Sequence, residues 1–164
     1  MDGRGRALDN LVAIGARMTS TDELKQFEQS KQFDQSLIAE FRAHGGKVSG
    51  WEHNPLLLLT TIGARSGQPH TKPLSYTTDG DRLIVFAGNS GALDLPDWYY
   101  NLVAHPEVTV ELGRERWQTG AVVATGQEHE RLWNQRAEEA PWIVELQRKA
   151  KRQVPVVILA RGGA

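Results

Sequence analysis

Apolar and polar residues follow two different rhythms along this chain, one near the N-terminus and another from residue 55 onward. Near the N-terminus, four apolar residues recur at helical spacing: Phe33, Leu37, Ile38 and Phe41. Their spacing predicts one buried face of an α-helix. The capping box Ser20–Glu23 predicts that this helix begins at Ser20 or Thr21, and Gly45-Gly46 predict its end. The polar stretch at 28–36 predicts a break near residue 30.

From residue 55 the chain consists of short apolar runs separated by turn residues. Six runs are predicted strands: 56–61, 73–78, 82–87, 107–112, 116–126 and 154–160. We expect the first three to form an antiparallel meander with a tight turn at Asp79-Gly80. We expect the next two to form a hairpin around Gly113.

Three further segments predict helices at 96–105, 126–139 and 142–151. A second capping box, Thr125–Glu128, marks the start of the middle one. About six mostly antiparallel strands with few and late helices favour a curled antiparallel sheet or barrel over a doubly wound sheet. The predicted class is therefore α+β or mainly β.

Length and composition narrow the classes of protein. The 164 residues fit one domain, which we place at 21–164 behind an N-terminal arm at 1–20. A net charge of -1 gives no sign of nucleic-acid binding, and the absence of cysteine excludes disulfides and thiolate chemistry. No stretch approaches the length of a transmembrane helix. We expect a cytoplasmic protein, and the apolar stripe Leu8, Leu11 and Val12 leaves a peripheral membrane contact open.

Several common catalytic motifs are missing. The chain has no P-loop motif and no dinucleotide-binding glycine motif between a strand and a helix. Its five histidines show no metal-ligand spacing, so we expect no metal site. No side-chain nucleophile can be argued from the order of residues alone.

The stretch GARSGQPH at 63–70 is the first candidate for chemistry. Gly63 and Gly67 free the backbone to turn N–H groups toward an anion, and Arg65 and Ser66 add a cation and a hydroxyl. His70 and Lys72 lie on one face of the next strand. From spacing alone, a phosphate site and an ordinary solvated turn stay equally open.

The stretch FAGNSGALDLPDWYYNL at 86–102 is the second candidate. Small residues after a strand let a flat ring lie close against the backbone. The aromatic residues Trp98, Tyr99 and Tyr100 fit either a hydrophobic core or the wall of a cofactor cleft.

These stretches, together with EFRAHGGKV at 40–48, PLSY at 73–76 and PVVIL at 155–159, resemble the deazaflavin-dependent nitroreductase family from about residue 37 to 160. The turn followed by Pro-Leu and the later P-x-W-Y-x-N-L are the most specific features. Members of that family are split β-barrel (FMN-binding-like) oxidoreductases that bind coenzyme F420. The resemblance implies an F420H2-dependent reductase that transfers a hydride to an electron-poor acceptor, such as a quinone, an enone or lactone, or a nitroarene.

The resemblance also implies a set of site residues. The expected cofactor-binding residues are Lys47, Ala64, Arg65, Ser66, His70, Thr71, Lys72, Pro73, Leu74, Ser75, Phe86, Ala87, Gly88, Asn89, Asp97, Trp98, Tyr99, Tyr100, Asn101 and Ile143. The turn would hold the phosphate, residues 86–89 the ring, and Lys47 the oligoglutamate tail. Ile143 would cover the substrate face. Ser75 and Tyr76 are the candidate proton donors, hence the expected catalytic residues.

Two departures from the family pattern keep alternatives open. His70 stands where the family usually has Arg, and Asn89 where a Lys is often seen. A related split-barrel protein that binds FMN or haem, or a non-enzymatic barrel that binds lipid, therefore stays as an alternative. The apolar APWIVEL at 140–146 replaces a tyrosine-rich stretch. The chain is expected to act on a small molecule as a monomer or a homodimer.

Overall fold

A computed structural model of the chain describes residues 21–88 and 94–161. These residues form an α+β arrangement of helices and strands. The helices are α1 Thr21–Ala43, α2 Asp97–Ala104, α3 Gly126–Glu139 and α4 Trp142–Ala150. The strands are β1 Leu56–Ile62, β2 Pro69–Ser75, β3 Thr77–Asp79, β4 Arg82–Phe86, β5 Glu107–Leu112, β6 Glu115–Gly120, β7 Val122–Val123 and β8 Val156–Leu159.

The strands of the described residues lie in two separate antiparallel sheets and do not close into one barrel. Sheet 1 has the order β2-β1-β5-β6, and sheet 2 has the order β3-β4-β8-β7. The described residues thus form eight strands, so the expected count of about six was wrong. The antiparallel pairing and the α+β class are confirmed.

The count was wrong because two predicted strands each divide between the sheets. The run at 73–78 ends β2 in sheet 1, passes Tyr76 and begins β3 in sheet 2. The run at 116–126 divides in the same way between β6 and β7 at Ala121. A strand that changes sheet bends one layer over the other. The first three runs therefore form two hairpins in different sheets, not one meander.

The main hydrophobic core lies between the sheets, and a second one lies between sheet 1 and α1. In β1, Leu57 and Leu59 face the inter-sheet core while Leu56 and Leu58 pack against α1. Both faces of the strand are buried, which explains its unbroken run of leucines. Since Leu59 has no exposed surface, truncation to Ala would cost about 2–5 kcal/mol of stability.

The outer face of sheet 2 is covered by α3. Leu132 of this helix packs with Ile84 of β4 and with Val156 and Ile158 of β8. The described residues therefore stack as α1, sheet 1, sheet 2 and α3, and α2 contributes Trp98 and Leu102 to the core between the sheets. Layers of this kind bury the apolar face of every amphipathic element.

Helix α1 is continuous through residue 30, so the predicted break was wrong. Glu, Gln and Lys fill the polar stretch, and these residues are good helix formers. Leu37 and Phe41 are buried as predicted, but Phe33 is 57% exposed and does not belong to the buried face. The helix ends as expected, since Gly45 and Gly46 have φ values of 62° and 93°.

The three later helices match their predicted positions within two residues. Thr125 is the N-cap of α3, but its side chain makes no capping hydrogen bond, so that part of the prediction was wrong. Gly80 and Gly113 form the expected turns with φ values of 63° and 60°. The arm at 1–20 lies outside the described residues. Across 21–88 and 94–161, no helix is long and apolar enough to cross a membrane.

Candidate functional site

A cavity of about 380 Å³ opens where β2 passes into β3. The residues that line it are Leu74, Ser75, Tyr76, Thr77, Phe86, Gly88, Arg136, Trp142, Ile143 and Leu146. They come from the corner between the sheets, from the end of β4, and from α3 and α4. This volume is at the lower end of the range of small-molecule sites.

Six of these residues were expected from the sequence: Leu74, Ser75, Tyr76, Phe86, Gly88 and Ile143. Four were missed: Thr77, Arg136, Trp142 and Leu146. The missed residues of α3 and α4 reach the cavity only because both helices fold back over the end of β4. The amphipathic pattern of α4 was a usable signal for Leu146, three residues after the buried Ile143.

Three side chains with hydroxyl groups line the cavity, Ser75, Tyr76 and Thr77, and none of these hydroxyls has a partner in the described part of the chain. The side chains of Ser75 and Tyr76 are half-buried, and neither hydroxyl makes a hydrogen bond to a described residue. Both can therefore donate to, or accept from, a molecule bound there.

The floor of the cavity is Gly88, and α4 packs tightly upon it. A Cβ atom built on Gly88 would lie 2.6 Å from Cδ2 of Leu146. The small residue is thus needed for helix packing as well as for the ring contact inferred from the sequence. Phe86 beside it packs edge to face on Trp133, with ring centroids 6.3 Å apart. Asn89 lies outside the described residues.

The 63–68 turn is closed by its own hydrogen bonds. The amide of Gly63 donates to the carbonyl of Gln68 at 2.8 Å, and the amide of Gly67 donates to the carbonyl of Gly63 at 3.0 Å. The Ala64 amide donates to Oδ1 of Asn101 at 3.0 Å. These three amides are therefore not available to an anion, contrary to the expectation of a wide set of free N–H groups.

The turn leaves a small set of hydrogen-bond donors for an anion. The amides of Arg65 and Ser66 make no hydrogen bond within the described residues, and the exposed Arg65 guanidinium has no ion-pair partner there. Two neighbouring amides and one guanidinium are a donor set that suits a phosphate group.

His70 supports the turn from inside the protein. It is 1% exposed, and its Nε2 lies 3.2 Å from Oγ of Ser66. That hydroxyl also accepts the amide hydrogen of Gln68 at 3.2 Å. The position expected to replace a phosphate-binding Arg therefore holds a buried imidazole that positions Ser66.

Lys72 points to a different element. Its Nζ lies 2.5 Å from Oδ2 of Asp34 on α1, in a partly buried ion pair. In this structure the charge of Lys72 is therefore directed to α1, and its contribution to the anion site stays a prediction. Thr71 bonds to Thr60 across the strand pair at 2.7 Å, on the face of β2 opposite to Lys72. Pro73 lies on that same face by alternation.

Helix α2 holds the turn through Asn101. This buried side chain accepts from the Ala64 amide and donates to Oγ1 of Thr61 at 3.1 Å. Trp98 is 3% exposed and belongs to the inter-sheet core, so its ring does not form an open cleft wall. Tyr99 packs against that core, and Tyr100 is 49% exposed. Asp97 is half-buried at the helix start.

Ala87 and Lys47 are two further expected residues that lie outside the cavity lining. Ala87 is buried in the inter-sheet core, where its carbonyl accepts a 3.5 Å hydrogen bond from Arg152. Lys47 is exposed and follows α1. Its neighbour Gly46 packs closely on Gly113, since a Cβ atom built on Gly46 would lie 2.8 Å from Cα of Gly113. The register of β1 with β5 places Gly113 at the opposite end of β1 from the turn.

No group of three His, Asp or Glu side chains that could hold a metal ion occurs within 21–88 and 94–161.

Comparison with known proteins finds a family and several relatives that this chain resembles. The model of the family described as F420H(2)-dependent quinone reductase matches residues 35–161. An F420H(2)-dependent quinone reductase of Mycobacterium tuberculosis is 38% identical over 112 residues, which cover 65% of this chain and 74% of that protein.

Two solved structures are similar in fold and sequence. An F420-H2 dependent reductase (FDR-A) is 33% identical with a TM-score of 0.58, and the match covers 64% of this chain and 93% of that chain. A structure described as a domain-swapped dimer is 31% identical with a TM-score of 0.60, and the match covers 74% of this chain and 93% of that chain.

Proposed function

Since the chain belongs to the F420H(2)-dependent quinone reductase family, we propose that it reduces a quinone-type acceptor in the cavity beside Tyr76. The chain is an oxidoreductase that uses coenzyme F420, as the resemblance found in the sequence implied. Family membership favours F420 over the alternatives of FMN, haem and a lipid. It also favours a quinone over the enones, lactones and nitroarenes that the sequence left open.

The observation that carries this proposal is the donor set of the turn. Arg65 and the amides of Arg65 and Ser66 point to no described residue, although other arginines of the chain have carboxylate partners. An unpaired guanidinium beside free amides is the arrangement that a phosphorylated cofactor requires. The residues present therefore fit the phosphate of F420.

Strand β2 connects this donor set to the cavity. The strand runs from Pro69 to Ser75, a span of about 20 Å at the usual rise per residue. A ligand with a phosphate at one end and a flat ring at the other would lie along it. Leu74, Phe86 and Gly88 would contact the ring, and Ile143 would cover it. For His70 we propose a supporting role, in which its imidazole positions Ser66.

F420 supplies a hydride when it is bound in its reduced form, and the protein supplies position and protons. Leu74, Phe86, Trp142, Ile143 and Leu146 give the cavity an apolar side against which a flat acceptor would be held near the ring. Ser75 and Tyr76 are the proposed proton donors, because their hydroxyls face the cavity without a described partner. Quinones reduced by a hydride need such a proton at oxygen.

We also propose that the two sheets are the halves of a split β-barrel and that the protein is a homodimer. The dimer proposal is supported by the similar structure described as a domain-swapped dimer. Light scattering on the purified chain would give the mass of a dimer; the mass of a monomer at micromolar concentration would overturn it. The cytoplasmic location stays a prediction.

The decisive experiment is a fluorescence titration with oxidised F420. We expect Arg65→Ala to weaken binding by about tenfold, or 1.4 kcal/mol. The matched control is Arg116→Ala, an exposed arginine on β6, which lies at the other edge of sheet 1. Equal affinities in the two variants would show that the turn does not hold the phosphate.

A further inference from the structure

Arg136 brings a positive charge to a cavity that is otherwise formed by apolar and hydroxyl side chains. It lies in the last turn of α3 and lines the cavity together with Ser75, Tyr76 and Thr77. None of the described residues that line the cavity is an aspartate or a glutamate. The charge of Arg136 is therefore not cancelled within the cavity wall.

Its guanidinium also lacks the partners that neighbouring arginines have. Nε of Arg136 is inaccessible to solvent and makes no hydrogen bond within the described residues. Five other arginines form ion pairs with carboxylates: Arg42, Arg82, Arg131, Arg148 and Arg161. A buried donor on a charged group without a partner is costly, by about 1–3 kcal/mol or more. A buried donor of this kind calls for an explanation, and a bound ligand that accepts a hydrogen bond from it is one.

The ring of Trp142, which is 60% exposed, lies beside this side chain. The carbon of the guanidinium lies 6.0 Å from the centroid of the Trp142 ring, within the range of a cation–π contact. Trp142 itself lines the cavity. The cation is therefore held at the cavity wall by an aromatic ring and not by a carboxylate, so its hydrogen-bond donors stay available.

We propose that Arg136 binds an oxygen of the electron acceptor and selects acceptors whose oxygen carries negative charge. This inference rests on the proposed function. A quinone that takes one hydride, and with it two electrons, from reduced F420 becomes a hydroquinone monoanion. A proton from water or a cavity hydroxyl then completes the hydroquinone. The guanidinium stabilises the charged oxygen of the monoanion, and it attracts acceptors that are anionic before reduction.

Two naphthoquinones of nearly equal size provide the test: lawsone, whose hydroxyl group is ionised at neutral pH, and menadione, which has a methyl group there and is neutral. Binding is measured without F420 by quenching of tryptophan fluorescence. We expect Arg136→Met to weaken lawsone binding by about tenfold and menadione binding by less than about threefold. Arg136→Lys keeps the charge without the planar guanidinium, and its affinity for lawsone is expected to lie between those of the wild type and Arg136→Met.

The matched control is Gln135→Met, the exposed neighbour on the same helix, which should leave both affinities within about twofold of the wild type. Urea unfolding of each variant separates binding from loss of structure, and Arg136→Lys keeps the test open if Arg136→Met does not fold. Steady-state rates add a second readout: kcat/KM should fall more for lawsone than for menadione.

Three results would overturn the inference. The first is an equal loss of lawsone and menadione binding, which indicates a packing role. The second is no loss of either. The third is weaker F420 binding with unchanged lawsone binding, which assigns Arg136 to the cofactor. If the wild type failed to bind F420 at all, the proposed function would fail, while the lawsone comparison would still decide the role of Arg136.

Discussion

The carboxamide of Asn101 is the internal support of the turn, so its removal tests how the candidate anion site is built. In Asn101→Ala, the hydroxyl of Thr61 loses its 3.1 Å donor and the amide of Ala64 loses its 3.0 Å acceptor. Thr61 has no exposed surface, so water does not replace the lost bond. Ala64 is exposed, so its amide can be rehydrated.

The magnitude follows from these two different environments. A buried hydroxyl left without its partner costs about 1–3 kcal/mol, and an exposed hydrogen bond costs about 0.5–1.5 kcal/mol. We therefore expect Asn101→Ala to lower the free energy of unfolding by about 3 kcal/mol, as measured by urea denaturation. F420 affinity should also fall by about fivefold or more, because Arg65 and Ser66 are no longer held in one orientation.

Two further variants make this prediction specific. Val103→Ala truncates a side chain on the same helix that is 56% exposed, so stability should change by less than about 0.5 kcal/mol. Thr61→Val keeps the shape but removes the acceptor, and a double-mutant cycle with Asn101→Ala should give a coupling energy of about 1 kcal/mol. A loss in Asn101→Ala no larger than that in Val103→Ala would refute the role of this side chain. Unchanged F420 affinity despite lower stability would separate the turn from the cofactor.

Three other predictions concern packing and charge. Hydrogen bonds from Arg131 and Arg82 lower the pKa of Asp79 from 3.8 to about 2. The ionised Asp79 carboxylate therefore stabilises the folded protein above pH 4, and this stabilisation is lost as the pH falls toward 2. Asp79→Asn should be less stable at pH 7 by about 1 kcal/mol after allowance for solvent screening, and this difference should shrink in urea titrations between pH 4 and 2. Gly88→Ala should displace Leu146 into the cavity and weaken F420 binding measured by fluorescence. Adding Leu146→Ala to the same chain should restore F420 binding. Unchanged F420 binding in Gly88→Ala alone would contradict the tight packing of Leu146 on Gly88. Trp98→Ala should cost about 3–5 kcal/mol of stability in thermal unfolding, whereas an open cleft wall would tolerate it.

The sequence predicted the elements better than their partners. Every predicted helix exists, because apolar spacing and glycines report local conformation directly. Local patterns did not predict the change of sheet at Tyr76, because residues 73–78 have the pattern of one extended strand whether or not the backbone bends. Only the pairing of Thr77 with Ile84, and of Leu74 with Leu57, shows that the run belongs to two sheets.

The candidate site was predictable to the extent that its residues are close in sequence. Leu74, Ser75 and Tyr76 form one stretch, which the resemblance to a known family singled out, and all three line the cavity. Arg136 follows Tyr76 by some sixty positions and has no motif of its own. Its place at the cavity depends on how α3 packs on sheet 2, which is a tertiary property that local patterns do not contain.

The same limit explains why the ion pair of Lys72 could not be predicted from the sequence. Alternation correctly placed Lys72 on the same face of β2 as His70, but it said nothing about Asp34 of α1, which neutralises the Lys72 charge. In the proposed phosphate site, Arg65 and the amides of Arg65 and Ser66 would then meet most of the phosphate charge. A guanidinium supplies a planar pair of donors that an ammonium cannot, so Arg65 can bind a phosphate through two hydrogen bonds at once. The internal hydrogen bonds of the turn, including the contact of Ser66 with the buried His70, hold the backbone amides in place, which lowers the cost of ordering them when a ligand binds.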